Sequence, residues 1–141
     1  MVAHYLDTSA AVPAFVREAG TDSIQNWLDR QPEGGVAISP WVAVEFSSAL
    51  SIKLRAGALT GAVAAAAHAE WRRFAESVRT IEITSRHFDE AARIAAREGL
   101  GVRAGDALHL AVAAAAGCTL ATFDAALAAA ARELGLPVAA I

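Results

Sequence analysis

Short apolar runs alternate with amphipathic stretches along the whole chain. Residues 2–6 (VAHYL) are apolar and partly β-favouring, and they stop abruptly at Asp7-Thr8-Ser9, residues that favour helix N-caps, ahead of apolar residues 10–16. This predicts strand, tight turn and helix. Thr21-Asp22 precedes Ile24, Trp27 and Leu28, whose spacing marks a second, amphipathic helix. A polar loop with Pro and Gly (31–35) leads to the short apolar run 36–38, read as a buried strand. Ser39-Pro40 then supplies an N-cap and a first helical residue for a long helix to about Arg55, since proline loses no hydrogen bond there.

Gly57 and Thr60 punctuate that helix, and residues 68–74 belong to the next one. Residues 78–83 alternate apolar and polar side chains as a half-exposed strand does, and Thr84-Ser85 caps a helix reaching about Glu98. Gly99 and Gly101 end it. A further apolar helix spans 103–116, Gly117 stops it, and residues 118–122 form a strand running into Phe123-Asp124. A last helix to Leu134, a stop at Gly135 and a final strand over 137–141 complete the pattern. Strands alternating with helices imply right-handed crossovers and a parallel sheet covered on both faces. With 141 residues the chain suits one domain, 1–141, large enough to bury a core.

The hydrophobic content of 55% is largely alanine, and the longest apolar stretches (110–116 and 125–131) fall far short of the roughly 20 residues that cross a bilayer. No membrane association is expected. The first residues, MVAHYLDTS, lack a basic segment followed by an apolar one, so the expected compartment is the cytoplasm. The single cysteine, Cys118, excludes an internal disulfide and a cysteine-based zinc cluster, and fits a small buried hydrophobe at a strand start. A net charge of −3 gives no global basic field, so contact with nucleic acid falls to local patches. Of the 12 bases all but Lys53 are arginine, the better bidentate phosphate ligand.

Four acids interrupt this apolar pattern: Asp7, Glu45, Asp106 and Asp124. Asp7 and Asp124 each follow a predicted strand, and Glu45 lies early in the helix after the second strand. In open α/β sheets ligands bind beyond the carboxyl ends of the strands, which puts these three at one edge. Asp106 joins them if its helix packs with its start there. Carboxylates converging within about 5 Å repel by several kcal/mol per pair unless a cation resolves the conflict. Oxygen ligands suit a hard divalent ion such as Mg²⁺, which is held by a few carboxylates plus substrate phosphate. Metal-dependent phosphodiester cleavage is the chemistry such a site supports.

Each acid also has a plainer reading. Asp7 and Asp124 fit helix N-caps, and Arg103 three residues before Asp106 fits an ion pair at a helix start. Glu45 sits among Val42, Val44 and Phe46, where a buried acid needs a partner.

The segments YLDTSA, VAVEF, RAGDALHLAVA and LATFD, in that order and across almost the whole chain, resemble the signature of PIN-domain ribonucleases, particularly VapC-type toxins. The resemblance implies an α/β/α sandwich around a central parallel sheet, and an endoribonuclease dependent on Mg²⁺ or Mn²⁺. It also implies RNA as substrate, in tRNA or rRNA loops, a homodimer, and a cognate VapB-like antitoxin. Asp7, Glu45, Asp106 and Asp124 become the acidic quartet, with Asp7, Asp106 and Asp124 as metal ligands. Ser9 and Thr122 become the supporting hydroxyls. Where many relatives carry a basic residue after the first motif, this chain has Pro13-Ala14, and its last motif, TFDAAL, has a single acid. One metal is as compatible with that motif as two.

Arg103 and His109 flank Asp106 on one helix face; Arg103 either holds Asp106 or contacts phosphate, and His109 either steers phosphate or packs as a core residue. His4, His68 and His87 share no ligand spacing, and Trp27, Trp41 and Trp71 fit apolar helical positions. Arg17, Lys53, Arg55, Arg72 and Arg73 are candidate RNA contacts. Two rival readings remain open: a catalytically silent PIN-like binding module, and a haloacid-dehalogenase-type phosphatase. The latter needs a second Asp two residues after the first, where this chain has Ser9.

Overall fold

The computed structural model describes residues 2–141. Its parallel sheet consists of β1 (His4–Leu6), β2 (Val36–Ile38), β3 (Arg79–Thr80) and β4 (Thr119–Ala121), in the order β3-β2-β1-β4. The helices are α1 (Thr8–Phe15), α2 (Thr21–Asp29), α3 (Pro40–Arg55), α4 (Gly61–Ser77), α5 (Ser85–Ala95), α6 (Ala104–Ala115) and α7 (Ala125–Glu133). The α/β class and the central parallel sheet are as the alternation predicts. Among the described residues no helix is long and apolar enough to cross a membrane.

The strand order decides where helices go. The chain steps from β1 to β2 to β3 in one direction and then jumps back past β1 to β4. Right-handed crossovers therefore put α1 to α4 on one face and the returning α5 and α6 on the other. The packing follows: α1 touches α2, α3 and α4, while α5 lies along α6. The reversal between β1 and β4 makes their carboxyl ends the switch point of the sheet, the place where such sheets bind ligands.

Apolar side chains fill both faces, Leu6, Ile24, Phe46, Leu50, Leu110, Leu120 and Leu127 being fully buried. Beneath α4 the ring of Phe46 stacks on Trp71 at 4.7 Å, with Phe15 edge-on to both. Trp27 and Trp71 are buried and Trp41 is packed against the core, as their helical spacing predicts. Much of the alanine is structural too. Ala107 and Ala111 on α6 and Ala10 and Ala11 on α1 are buried, small enough to bring the helices close to the sheet.

β1 and β4 are each trimmed by two residues from the expected runs, and two further strands are much shorter than expected. Only Arg79–Thr80 of residues 78–83 pairs in the sheet, with Ile81 N–H adding one bond to Ile38, because β2 offers just three residues to pair with. The final strand over 137–141 shrinks to one bridge, Val138 against Leu120, flanked by hydrogen bonds of 2.8 Å from Leu120 N–H to Pro137 and from Ala139 N–H to Leu120. Pro137 has no amide hydrogen with which to extend it. The fifth helix stops at Ala95 rather than about Glu98, and a 3-10 turn (Glu98–Leu100) leads into Gly101 at φ +63°, a conformation that favours glycine.

Candidate active site

The carboxyl ends of β1 and β4 are sewn together by hydroxyls. Asp7 follows β1, and its amide donates to Ala121 of β4 at 3.2 Å. Asp7 stands at the N-cap of α1, where its Oδ1 accepts the Ser9 hydroxyl at 2.9 Å. Ser9 Oγ in turn accepts from the amides of Phe123 (3.0 Å) and Asp124 (3.2 Å) and lies 3.0 Å from Thr122 Oγ1. Thr122 Oγ1 also accepts from Asp124 N–H at 3.0 Å. Ser9 and Thr122 thus hold the loop after β4 against the loop after β1. Asp124 does act as the cap its position predicts: its Oδ1 accepts from Ala126 and Leu127 amides at 2.9 and 3.0 Å, aligned with the positive end of α7.

Glu45 has partners that the sequence did not disclose. Its Oε1 accepts the Thr8 hydroxyl at 2.7 Å and is bonded to His109 Nε2. Behind the imidazole, Nδ1 lies 2.8 Å from the Tyr5 hydroxyl, which lies 2.7 Å from Ser39 Oγ. Ser39 occupies the predicted N-cap of α3, but its hydroxyl serves Tyr5. His109, Tyr5 and Ser39 are all buried. The signals were faint: a Tyr where a core strand would take Phe, and a His three residues after Asp106 on the same helix face.

Asp106 lies in the first turn of α6, half-buried, within the field of Asp124 and Glu45. Gly105 beside it leaves room: a Cβ there would stand 3.2 Å from Trp41 Cζ2 and 3.3 Å from Glu45 Oε2. Arg103, at the N-cap of α6, is exposed and only weakly offsets the charge of Asp106. Of the other candidate bases, Arg17 is paired with Asp22 at 2.7 Å, Lys53 with Glu18, and Arg55 bonds Ser51 at 3.2 Å, while Arg72 and Arg73 are exposed on α4. His4 and His68 lie edge-on to Trp27 and Phe46, and His87 Nδ1 accepts the Thr84 amide, which keeps all three structural.

Burial sets the electrostatics. Asp7 is 3% exposed, and desolvation pushes its carboxyl up to about 6 against the lowering influence of His109 and of the Ser9 and Thr122 hydroxyls. Burial, and then the charge of Asp124, push Asp106 up as well. Glu45 goes the other way: burial raises it, but the bonds and charge from His109 and the Thr8 hydroxyl outweigh that and hold it below the usual range. Among the described residues no cationic side chain is ion-paired with Asp7, Asp106 or Asp124. Nor, among them, do three or more acidic, histidine or cysteine side chains stand close enough to hold a metal as they are. Like charges with no counter-ion between them stay apart, Glu45 is tied to His109, and one oxygen of Asp124 is engaged by α7. The donor chemistry, carboxylate and hydroxyl oxygen around a buried unpaired acid, still fits a hard divalent cation.

Comparison with known proteins gives the family and the fold. The family model of the PIN domain matches residues 4–133. A sarcin-ricin loop cleaving toxin, VapC20 of Mycobacterium tuberculosis, is 22% identical, with a TM-score of 0.73 over 91% of this chain and 95% of that one. A protein of Pyrobaculum aerophilum is 25% identical, with a TM-score of 0.70 over 92% and 86%. VapBC2 of Rickettsia felis, bound to a DNA fragment from its promoter, is 20% identical, with a TM-score of 0.70 over 99% and 98%. No curated protein matches the chain. The structural likenesses are likenesses of fold, spanning nearly the full length of each chain.

Proposed function

Because the chain belongs to the PIN-domain family, we propose that it is a metal-dependent endoribonuclease and the toxin of a toxin–antitoxin pair. The observation that carries this reading is Asp7: a carboxylate 3% exposed at the switch point of the sheet, with hydroxyl partners and no ion-paired cation among the described residues. Such a group is costly to keep unless something positive arrives with the substrate. Asp7, Asp106 and Asp124 would hold a divalent ion, Mg²⁺ or Mn²⁺, which supplies Lewis-acid neutralisation of the scissile phosphate.

The protein's own groups do the rest. Glu45 is the proton acceptor by position: its lowered carboxyl pKa keeps it ionised at neutral pH at the expense of basicity, so its placement carries the role. Its Oε1 already takes two hydrogen bonds, so Oε2 takes the proton from water as the water oxygen adds to phosphorus and the bond to the leaving ribose oxygen breaks, that oxygen taking a proton from solvent to leave as a hydroxyl. Ser9 and Thr122 fix Asp7 and the amide of Asp124, keeping the two strand ends in register. The exposed Arg103 next to Asp106 is positioned for a phosphate of the RNA. The net charge of −3 makes recognition local, consistent with a single-stranded tRNA or rRNA loop read by shape.

Solved relatives of this fold include toxin–antitoxin complexes from Klebsiella pneumoniae and Salmonella typhimurium, which supports a cognate VapB-like antitoxin as partner. Pairing into a homodimer would cover apolar side chains left exposed here, Val44 and Phe88 among them.

Incubation of the purified protein with a panel of structured RNAs, with Mg²⁺ or Mn²⁺ and with EDTA, tests the reading. Cleavage confined to the metal-containing reactions is expected. Undiminished cutting in EDTA, or RNA binding with no cutting at all, sinks it, and the second outcome leaves the silent binding module. Gly105→Ala gives a finer check. The methyl crowds Glu45 Oε2 and Trp41, offsetting the ~1 kcal/mol that alanine gains over glycine in a helix. Stability near wild type with cleavage reduced roughly 10-fold is expected, since small displacements of a reacting group are costly; wild-type cleavage would place Oε2 outside the reaction.

A further inference from the structure

Resting on that nuclease reading, we propose that His109 is a positioning residue: through a buried relay from Ser39 and Tyr5 it fixes which oxygen of Glu45 is free to act. The three members of the relay are sealed in an otherwise apolar core, Tyr5 at 0%, Ser39 at 1% and His109 at 1% exposure. Apolar residues of similar volume would fill that space without the desolvation cost of two hydroxyls and an imidazole, so the polar set serves direction rather than bulk.

Counting hydrogens shows what the direction is. The Tyr5 hydroxyl has one hydrogen and two neighbours, His109 Nδ1 at 2.8 Å and Ser39 Oγ at 2.7 Å. If Tyr5 donates to Nδ1, Ser39 donates to Tyr5 and the ring proton sits on Nε2. If the ring carries both protons, Nδ1 donates to Tyr5 and Tyr5 donates to Ser39. Either way Nε2–H is the donor to Glu45 Oε1, because a bare Nε2 would set its lone pair against a carboxylate oxygen. Thr8 donates to the same Oε1 at 2.7 Å. A glutamate on a half-exposed helix face would ordinarily sample several rotamers; two donors on one oxygen leave a single orientation, with Oε2 toward the backbone of Gly105 and the start of α6.

The decisive set is His109→Leu, His109→Gln and Tyr5→Phe, assayed for RNA cleavage, with each variant also placed in a Glu45→Gln background. His109→Leu leaves Tyr5 bonded to Ser39 and Glu45 open to water, so the fold should hold, as thermal unfolding would show. We expect kcat to fall about 10- to 100-fold with KM within about twofold, the scale of losing an orienting partner. His109→Gln, whose amide can reach Oε1, should recover most of the loss, and Tyr5→Phe should lower kcat a few-fold. In the Glu45→Gln background none of the three should add a further loss. The ¹⁵N signals of the imidazole in the wild-type protein should show a protonated Nε2. Wild-type kcat in His109→Leu, a loss that multiplies with Glu45→Gln, or a bare Nε2 would each overturn the proposal while leaving the nuclease reading intact. Failure of the wild type to cut any RNA would remove that reading, and this one with it.

Discussion

Replacing Asp7 by Asn is expected to abolish RNA cleavage, by on the order of 10³-fold or more, and at the same time to make the metal-free protein more stable at neutral pH. The two effects come from one cause. Burial raises the Asp7 carboxyl from the ordinary 3.8 to about 6, so between those pH values the folded chain binds a proton that the unfolded chain has lost. Stability then falls as pH rises through that window, and above about 6 the whole penalty is present. Two pH units correspond to a ceiling of about 3 kcal/mol. Asparagine keeps an oxygen for the Ser9 hydroxyl and removes the charge, so it relieves that penalty. Denaturation at pH 4.5 and pH 7 should show wild type losing stability between the two and Asp7→Asn changing far less. A variant that is less stable than wild type at pH 7 would overturn the desolvation account, and one that cleaves RNA normally would overturn the role of Asp7.

The same residue illustrates what a sequence discloses. That Asp7 and Asp124 each end a strand was legible, because a short apolar run stopped by Asp ahead of a helical stretch has few other meanings; that the two strands are neighbours came from the structure. The place of Asp106 was legible only as a condition, that its helix pack with its start at that edge; the structure shows the connectivity that meets it. Gly117, at φ +66°, turns the end of α6 directly into β4, so α6 runs against the strand and begins at the sheet's carboxyl edge. The lengths of β3 and of the final strand were not legible, since alternation says which face a residue takes and not how many partners its neighbour offers. Nor was the relay behind Glu45. Tyr5, Ser39 and His109 are separated by 34 and 104 positions along the chain, and each alone reads as a core aromatic, a helix cap and a core histidine. Only their meeting gives them a joint meaning. The two ways of reading Asp124, cap and ligand, also turn out not to compete: one oxygen caps α7 and the second is left for another partner.

That division of oxygens leads to the second large effect, which needs no RNA. A divalent cation that binds only the folded state stabilises it by mass action, about 2.7 kcal/mol at a hundred times its dissociation constant. For a chain of this size the unfolding midpoint should rise by roughly 8 °C on saturation with Mg²⁺ or Mn²⁺. The gain has a pH signature. Below about 6 Asp7 holds a proton that the cation must displace, so the same metal concentration should raise the midpoint less at pH 5 than at pH 7. Asp106, also raised by burial and by the charge of Asp124, adds to that dependence in the same sense. Asp7→Asn and Asp106→Asn should each remove most of the gain, while Glu45→Gln, whose carboxylate is committed to His109 and Thr8, should retain it. Differential scanning calorimetry of the four proteins with metal and with EDTA separates the cases. A midpoint unmoved by either metal would exclude a resident cation at the carboxyl edge of the sheet, and a gain lost in Glu45→Gln would make Glu45 a ligand rather than the proton acceptor.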